Sequence, residues 1–275
     1  MTELNNATVV LTGATGGFGQ ELTRQLLQAG SHLILSDIKQ DSLDEQAAKI
    51  TSEITTGKII ACIESDLSHR EGCLNLYDRV QALDIPIDIL INNAGIGLFG
   101  RMDEVPPDKW ERLMQVNLLA PMRLSSLFAA GMIDRQKGHI VNISSLAGWI
   151  GIEGMAHYSS SKFGLRGFSE GLFNDIKSHN VKVTCVYPFF SRTPILLSER
   201  YGTLAQGKED FPERFATNPA KVMEKTIKAI ARNQLHVFPD RAAQSLHIFK
   251  QYFPGLFDWI RDRLISRLSL NQKTI

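Results

Sequence analysis

The chain has 275 residues, 43% of them hydrophobic, enough to bury one substantial core in a single α/β unit. Lys and Arg number 30, Asp and Glu 29, so a formal net charge of +1 leaves no global field to steer nucleic acid or a strongly charged partner. Cys62, Cys73 and Cys185 are odd in number and lack metal-ligand spacing, so they read as reduced, mostly buried thiols of a cytoplasmic protein.

The polar start, residues 1–6, has no basic segment followed by an apolar one, which argues against a secretory signal. No apolar run is expected to reach the roughly 18 to 20 residues of a spanning helix. The chain is expected to be soluble or, at most, attached to a membrane surface. From there a strand is predicted at 7–11, a helix at 17–29, a strand at 32–36 and a helix at 42–54. The alternation continues with strand 58–63, helix 68–83, strand 87–91, helix 107–132, strand 139–143 and helix 155–179. Strand 181–186, helix 219–233 and strand 235–238 complete it. Near-continuous apolar strands suit a parallel sheet covered on both faces. Strict alternation therefore predicts an α/β fold with a doubly wound parallel sheet of about seven strands. One unit over 1–240 is expected, with a helical extension at 241–275.

The first strand runs into Thr12-Gly13-Ala14-Thr15-Gly16-Gly17-Phe18-Gly19 and then a helix. Gly13 permits a tight turn, Gly17 lets backbone approach a pyrophosphate, and Gly19 lets the helix pack close to the sheet. Asp37 closes the second strand, 18 residues after Gly19. A carboxylate there accepts hydrogen bonds from both adenosine ribose hydroxyls and repels a 2′-phosphate. Asp66-Leu67 follows the third strand, where Asp66 reads equally as a helix cap before Ser68. Asn92-Asn93-Ala94-Gly95 follows the fourth, at the sheet end where open α/β folds bind ligands.

Tyr158-Ser159-Ser160-Ser161-Lys162 sets a phenol and an ammonium four apart, on one face of a helix. A free phenol titrates near 10, and a neighbouring cation favours its phenolate. Ser145, in Asn142-Ile143-Ser144-Ser145-Leu146-Ala147-Gly148, lies 13 residues before Tyr158. Ser144 is the adjacent alternative, pointing to the other side of the strand. Taken together, the TGxxxGxG turn, NNAG, NISSxAG and YxxxK resemble the short-chain dehydrogenase/reductase family over residues 7–239.

That resemblance implies a Rossmann-like fold and hydride transfer between a nicotinamide cofactor and an alcohol/carbonyl pair. It assigns Tyr158 as general acid or base and Lys162 as the cation that lowers its pKa and holds the nicotinamide ribose. Ser145 positions the reacting oxygen, and Asn117 holds a water in the proton relay. Cofactor contacts are implied at Gly13, Thr15, Gly17, Phe18, Gly19, Asp37, Asp66, Leu67, Asn93, Ala94, Gly95, Tyr158, Lys162, Pro188, Ser191 and Thr193. Family members that use NADP often carry a basic residue after the Asp37 position or in the glycine turn. Here Ile38 and Gly16 stand there, which favours NAD, while Lys39 keeps NADP as the alternative. No metal is required. In Tyr187-Pro188-Phe189-Phe190-Ser191-Arg192-Thr193-Pro194, Phe189 replaces the family's glycine and Ser191 an apolar residue, which leaves the loop's shape open.

Leu98, Phe99, Trp149, Ile150, Met155, Phe189, Phe190, Ile195, Leu196 and Leu197 are expected around the substrate. They point to a hydrophobic alcohol or ketone such as a steroid, a retinoid or a long-chain compound. His157 is expected at the surface or the pocket rim, without a catalytic part. The substrate loop is expected over about 189–218, with 198–218 a lid. In the tail, Phe253, Phe257, Ile260, Leu264 and Leu268 recur at helical spacing opposite Arg261, Asp262, Ser266 and Arg267, and Pro254 should break or start a helix. A pocket cover, a subunit contact and an interfacial membrane helix all fit that face, the last least well because charges of both signs accompany it. A homo-oligomer, dimer or tetramer, is expected from the resemblance. An NADP-dependent carbonyl reductase and a non-catalytic cofactor sensor on the same fold are the competing functions.

Overall fold

The computed structural model describes residues 1–206 and 216–271. One parallel sheet has the order β3-β2-β1-β4-β5-β6-β7, with every neighbouring pair parallel. Its strands are β1 Thr8–Thr12, β2 His32–Asp37, β3 Lys58–Glu64, β4 Ile89–Asn92, β5 Gly138–Ile143, β6 Val181–Val186 and β7 His236–Val237. The chain works outward from β1 to β3, then returns to lay β4 on the other side of β1. That reversal opens a crevice at the carboxyl ends of β1 and β4, where such sheets bind ligands.

The helices are α1 Gly17–Gln28, α2 Gln40–Glu53, α3 Arg70–Gln81, α4 Pro107–Met114, α5 Ala120–Asp134, α6 Ala156–Ile176, α7 Pro219–Ala231, α8 Arg241–Tyr252 and α9 Pro254–Asn271. Side-chain alternation along the strands sorts the core into two layers. Val9, Leu11, Ile89 and Ile91 pack with Leu22 and Leu26 of α1 and Met223 and Ile230 of α7. Val10, Leu90 and Ile140 face the other way, onto Leu76 of α3 and Leu124, Phe128 and Met132 of α5. Each such side chain contributes about 1.5–3 kcal/mol by leaving water. On the face that carries α5 and α6, buried amides and hydroxyls stitch β4 to β5. Asn92 Nδ2 donates to Ser125 Oγ at 3.1 Å and Asn142 Oδ1 at 2.8 Å, and Asn142 Nδ2 donates to Ser169 Oγ at 2.9 Å.

The helix predicted over 107–132 is a run of three parts, with a π-helical turn, Gln115–Leu119, between α4 and α5. Pro121 lacks the N–H that would close an ordinary turn onto the Asn117 carbonyl, which accounts for the wider turn there. By length and composition, the run Pro107–Asp134 is apolar enough to cross a membrane, contrary to expectation. Leu124, Phe128 and Met132 are core residues, so its apolar face is already used by the sheet.

α8 ends at Tyr252 and α9 begins at Pro254, as the proline requires. Phe257 is buried and Ile260 half-buried, but Phe253 is exposed, so the tail's predicted stripe is only partly inward. The side chains of Leu264, Ser266, Arg267 and Leu268 lie outside the described residues, as do residues 207–215 of the expected lid. Among the described residues the three cysteines are free, with Cys73 and Cys185 buried and Cys62 half-buried.

Candidate active site

The glycine turn forms because three side chains are absent. Gly13 has a φ of +65°, and a Cβ on it would lie 2.7 Å from Ala94 Cα. On Gly19 a Cβ would sit 2.0 Å from the Gly13 carbonyl oxygen, so only glycine lets α1 start this close to the turn. Gly16 caps α1 without any side-chain acceptor, which leaves the first N–H groups facing the crevice. Thr12 Oγ1 accepts from the N–H groups of Asn93 and Ala94, both at 3.1 Å, while Asn93 Nδ2 donates to the Thr12 and Gly13 carbonyls. Over Gly17 the space is held by Thr193, whose Cγ2 would lie 2.6 Å from an added Cβ.

Asp37 sits beside this turn. Its Oδ2 accepts from the Thr15 N–H at 2.8 Å and the Thr15 hydroxyl at 2.7 Å, and its Oδ1 accepts from the Ile38 N–H at 2.8 Å. A Cβ-free cradle, an uncapped helix start and a carboxylate at the next strand end fit a dinucleotide.

Across β4 the structure brings Ser145, Tyr158, Lys162 and Asn117 together. Ser145 ends β5 and its Oγ accepts from the Ala147 N–H at 3.1 Å. Ser144 points elsewhere, donating to the Lys162 carbonyl at 3.0 Å. Tyr158 and Lys162 lie on α6, the ammonium 5.7 Å from the ring centroid. Lys162 Nζ donates to the Ile143 carbonyl at 3.0 Å, and a Cβ on Gly95 would lie 3.7 Å from that Nζ and 3.4 Å from Asn117 Oδ1. Asn117 occupies the π turn. Its Oδ1 accepts from the Ile96 N–H and its Nδ2 donates to the Ile96 carbonyl, each at 2.9 Å. The amide thus pins the segment after Gly95, which an ordinary turn would aim differently.

Burial dominates the electrostatics. It pushes the Tyr158 phenol up to about 12, opposed by a hydrogen bond with Ser145. It pulls the Lys162 ammonium down to about 8.

Other predicted residues have structural partners. Asp66 Oδ1 accepts from the Ser68 N–H at 2.9 Å, the cap arrangement, and Leu67 is in the core. Phe18 packs against the inner core layer. The Pro188 carbonyl accepts from the Leu146 N–H, and Ser191 Oγ lies 2.7 Å from Thr217 Oγ1, buried. His157 is not at a rim. It is 3% exposed, and its Nε2 donates to the Leu98 carbonyl at 2.9 Å, tying α6 to the segment after β4.

Sequence reasoning missed Asp240 and the setting of Trp149. Buried Asp240 caps α8 through Ala243 N–H at 2.7 Å and also accepts from Phe189 N–H at 2.9 Å, fixing the loop whose glycine is missing. An Asp directly before a helical pattern is a capping signal that could have found it. Trp149 stands edge-on to Tyr187 and His247, with the Arg166 guanidinium 3.2 Å from its ring centre. Leu146, Ile150, Phe189, Phe238, Leu246, Phe249 and Phe257 complete that cluster, so α8 and α9 wall one side of the crevice.

Comparison with known proteins agrees with this geometry. The family described as short chain dehydrogenase matches residues 7–202. Epidermal retinol dehydrogenase 2 of Homo sapiens is 30% identical over 249 residues, 90% of this chain and 78% of that protein. Bovine (Bos taurus) 3-ketodihydrosphingosine reductase is 34% identical over 193 residues, 70% of this chain and 58% of that one. Among solved structures, a short-chain dehydrogenase from Sphingobium yanoikuyae in complex with NADPH has a TM-score of 0.77 at 26% identity, covering 94% of this chain and 95% of that one. One from Burkholderia phymatum in complex with NAD has a TM-score of 0.80 at 23% identity, covering 93% and 96%, a likeness of fold. The chain belongs to the short-chain dehydrogenase/reductase family. It is an oxidoreductase of the kind that uses NAD or NADP.

Proposed function

We propose that this protein interconverts a hydrophobic alcohol and its carbonyl form, with NAD as the preferred cofactor. The carrying observation is the convergence of Ser145, Tyr158, Lys162 and Asn117 beside the glycine turn. NAD, when bound, supplies the hydride acceptor and a positive charge near the phenol. Tyr158 gives up or takes the proton at its Oη, and Ser145 holds the reacting oxygen against it. Lys162, buried and with its ammonium beside Gly95, is placed to bind a ribose hydroxyl and to relay a proton. Asn117 keeps the Ile96 backbone fixed and leaves room beside Lys162. At neutral pH the phenol is held protonated by burial, a state suited to donating a proton to a carbonyl oxygen.

Asp37 supports NAD, since a 2′-phosphate there would meet a carboxylate. The wall of Trp149, Phe189 and Ile150, with Leu98 packed in the cluster around Tyr158, supports an apolar substrate, and two relatives are named for retinol and a sphingoid ketone. We read residues 1–240 as the cofactor- and substrate-binding unit and 241–275 as a helical extension covering one side of it.

The test is turnover of the purified protein and its Tyr158→Phe variant, with NAD and NADP, against a panel of apolar alcohols and ketones. Loss of about 10²- to 10⁴-fold in kcat, with cofactor Kd unchanged, is expected for Tyr158→Phe. Tight cofactor binding without turnover in either direction would favour a sensor. A preference for NADP would return the reading at Asp37 to the carbonyl-reductase alternative.

A further inference from the structure

The outward face of α8 and α9 is apolar. Ile248 is 53% exposed, Tyr252 68%, Phe253 57%, Leu256 49% and Trp259 55%. Ile248 and Tyr252 are four apart on α8, and Leu256, Trp259 and Arg263 follow at helical spacing on α9, so each helix shows its set on one face. The opposite face is already used, by Ala243, Leu246, Phe249 and Phe257 against Trp149 and Phe189. The two helices are held to each other by Lys250 on Asp258 at 2.7 Å and by Phe249 against Phe257 at 5.6 Å between ring centres.

Charge separates this surface from the rest of the chain. Residues 241–275 carry six Lys and Arg against two Asp and Glu, whereas residues 1–240 carry 24 against 27. Asp258 and Asp262 are engaged by Lys250 and Arg261. Arg263 instead lays its guanidinium 4.6 Å from the Trp259 ring centre, a cation on the exposed aromatic face. Exposed Trp, Tyr and Phe with Leu and Ile, fringed by Arg, suit the boundary between headgroups and acyl chains. Two copies meeting on this face would bring two surfaces of net positive charge together, which disfavours a symmetric self-contact.

We propose that the α8–α9 face docks on an anionic lipid bilayer surface, with the aromatic and aliphatic side chains entering the interface and Arg263 at its fringe meeting the headgroups. The docking lies in the plane of the membrane and needs no spanning segment. It stands on this surface alone and does not require a lipid substrate.

The experiment is co-sedimentation of the full chain with vesicles of phosphatidylcholine, and with vesicles of equal parts phosphatidylcholine and phosphatidylglycerol. Binding to the mixed vesicles is expected to be about tenfold tighter or more, and to weaken as salt rises. Trp259→Ala with Phe253→Ala should cut that binding about tenfold or more while turnover in detergent-free buffer is unchanged. In Trp259→Phe, the blue shift of tryptophan fluorescence on adding vesicles should vanish, separating Trp259 from Trp110 and Trp149. Failure to pellet with either vesicle would overturn the proposal. So would pelleting that the double variant leaves intact, or light scattering that shows a dimer which the double variant dissolves.

Discussion

The two sides of the crevice are built in opposite ways. On the β1–β4 side the working surface is backbone, drawn into a tight turn because Gly13, Gly17 and Gly19 have no side chains and braced by Thr12 and Asn93. On the β5–β7 side it is side chain, with Trp149, Tyr187, Phe238 and His247 in ring contact and Phe189 lining the same cluster. A pyrophosphate of fixed shape is met by fixed N–H groups at short range, and any added carbon is in the way. The apolar substrate proposed above would be met by area and shape, which large rings from distant parts of the chain supply. The first side tolerates almost no change in the residues that form it. The second admits many solutions.

This contrast breaks most sharply at Gly19. Gly19→Ala places a Cβ against the carbonyls of Gly13 and Ala14, so the turn must shift. It should cost about 3 kcal/mol in urea denaturation and abolish measurable cofactor binding by calorimetry. A variant that still binds cofactor with unchanged Kd would show that the turn is not held by close approach.

Asp240→Ala probes the other side. It removes the cap of α8 and strands the Phe189 N–H, for a loss of about 2 kcal/mol. Substrate KM should rise while cofactor Kd stays put. An equal rise in both would erase the division between the two sides.

The smallest expected effect is acid sensitivity from His157, where α6 meets the segment after β4. Burial lowers its pKa, and its Nδ1 has no partner to receive a proton's charge. The unfolded imidazole titrates near 6.5. Below that pH the unfolded chain binds a proton that the folded one refuses, so stability falls as pH drops toward the folded value. The slope is limited to about 1.4 kcal/mol per pH unit for one proton. His157→Gln should lessen the fall of the melting temperature between pH 7 and the onset of acid unfolding, the remainder coming from His139, His236 and His247, which burial also shifts down. An unchanged profile would place the acid sensitivity elsewhere.

What the sequence revealed follows the same division. Strand and helix alternation was plain because β1, β4 and β5 are buried on both faces and read as unbroken apolar runs. The residues at the reacting centre were legible because their chemistry demands particular side chains at particular spacings, as with Tyr158 and Lys162 one turn apart. The π turn at Asn117 was not, since its cause, Pro121, reads as an ordinary helix-start proline. The burial of His157, expected at the surface or the rim, was not legible either, because its partner is a backbone carbonyl 59 residues away. The wall built on Trp149 draws on residues from α6, β6, β7 and α8, and no local pattern announces a contact among four elements. Asp66 and Ser191 show the converse, that a residue standing where a ligand contact is expected can be occupied by its own loop.

The stitched amides between β4 and β5 bear on how the molecule assembles. Asn92 and Asn142 are register partners on neighbouring strands of the β4–β7 half of the sheet, and their hydroxyl partners come from α5 and α6. Aliphatic strands can slide by two residues and still present apolar faces inward, so greasy contact alone discriminates poorly between alignments. A slipped alignment here would separate the amides and leave several buried donors stranded, at about 1–3 kcal/mol each. The seam therefore works as a key between the two strands, favouring the one alignment that also brings Ser145, two residues beyond β5, level with the segment that follows β4.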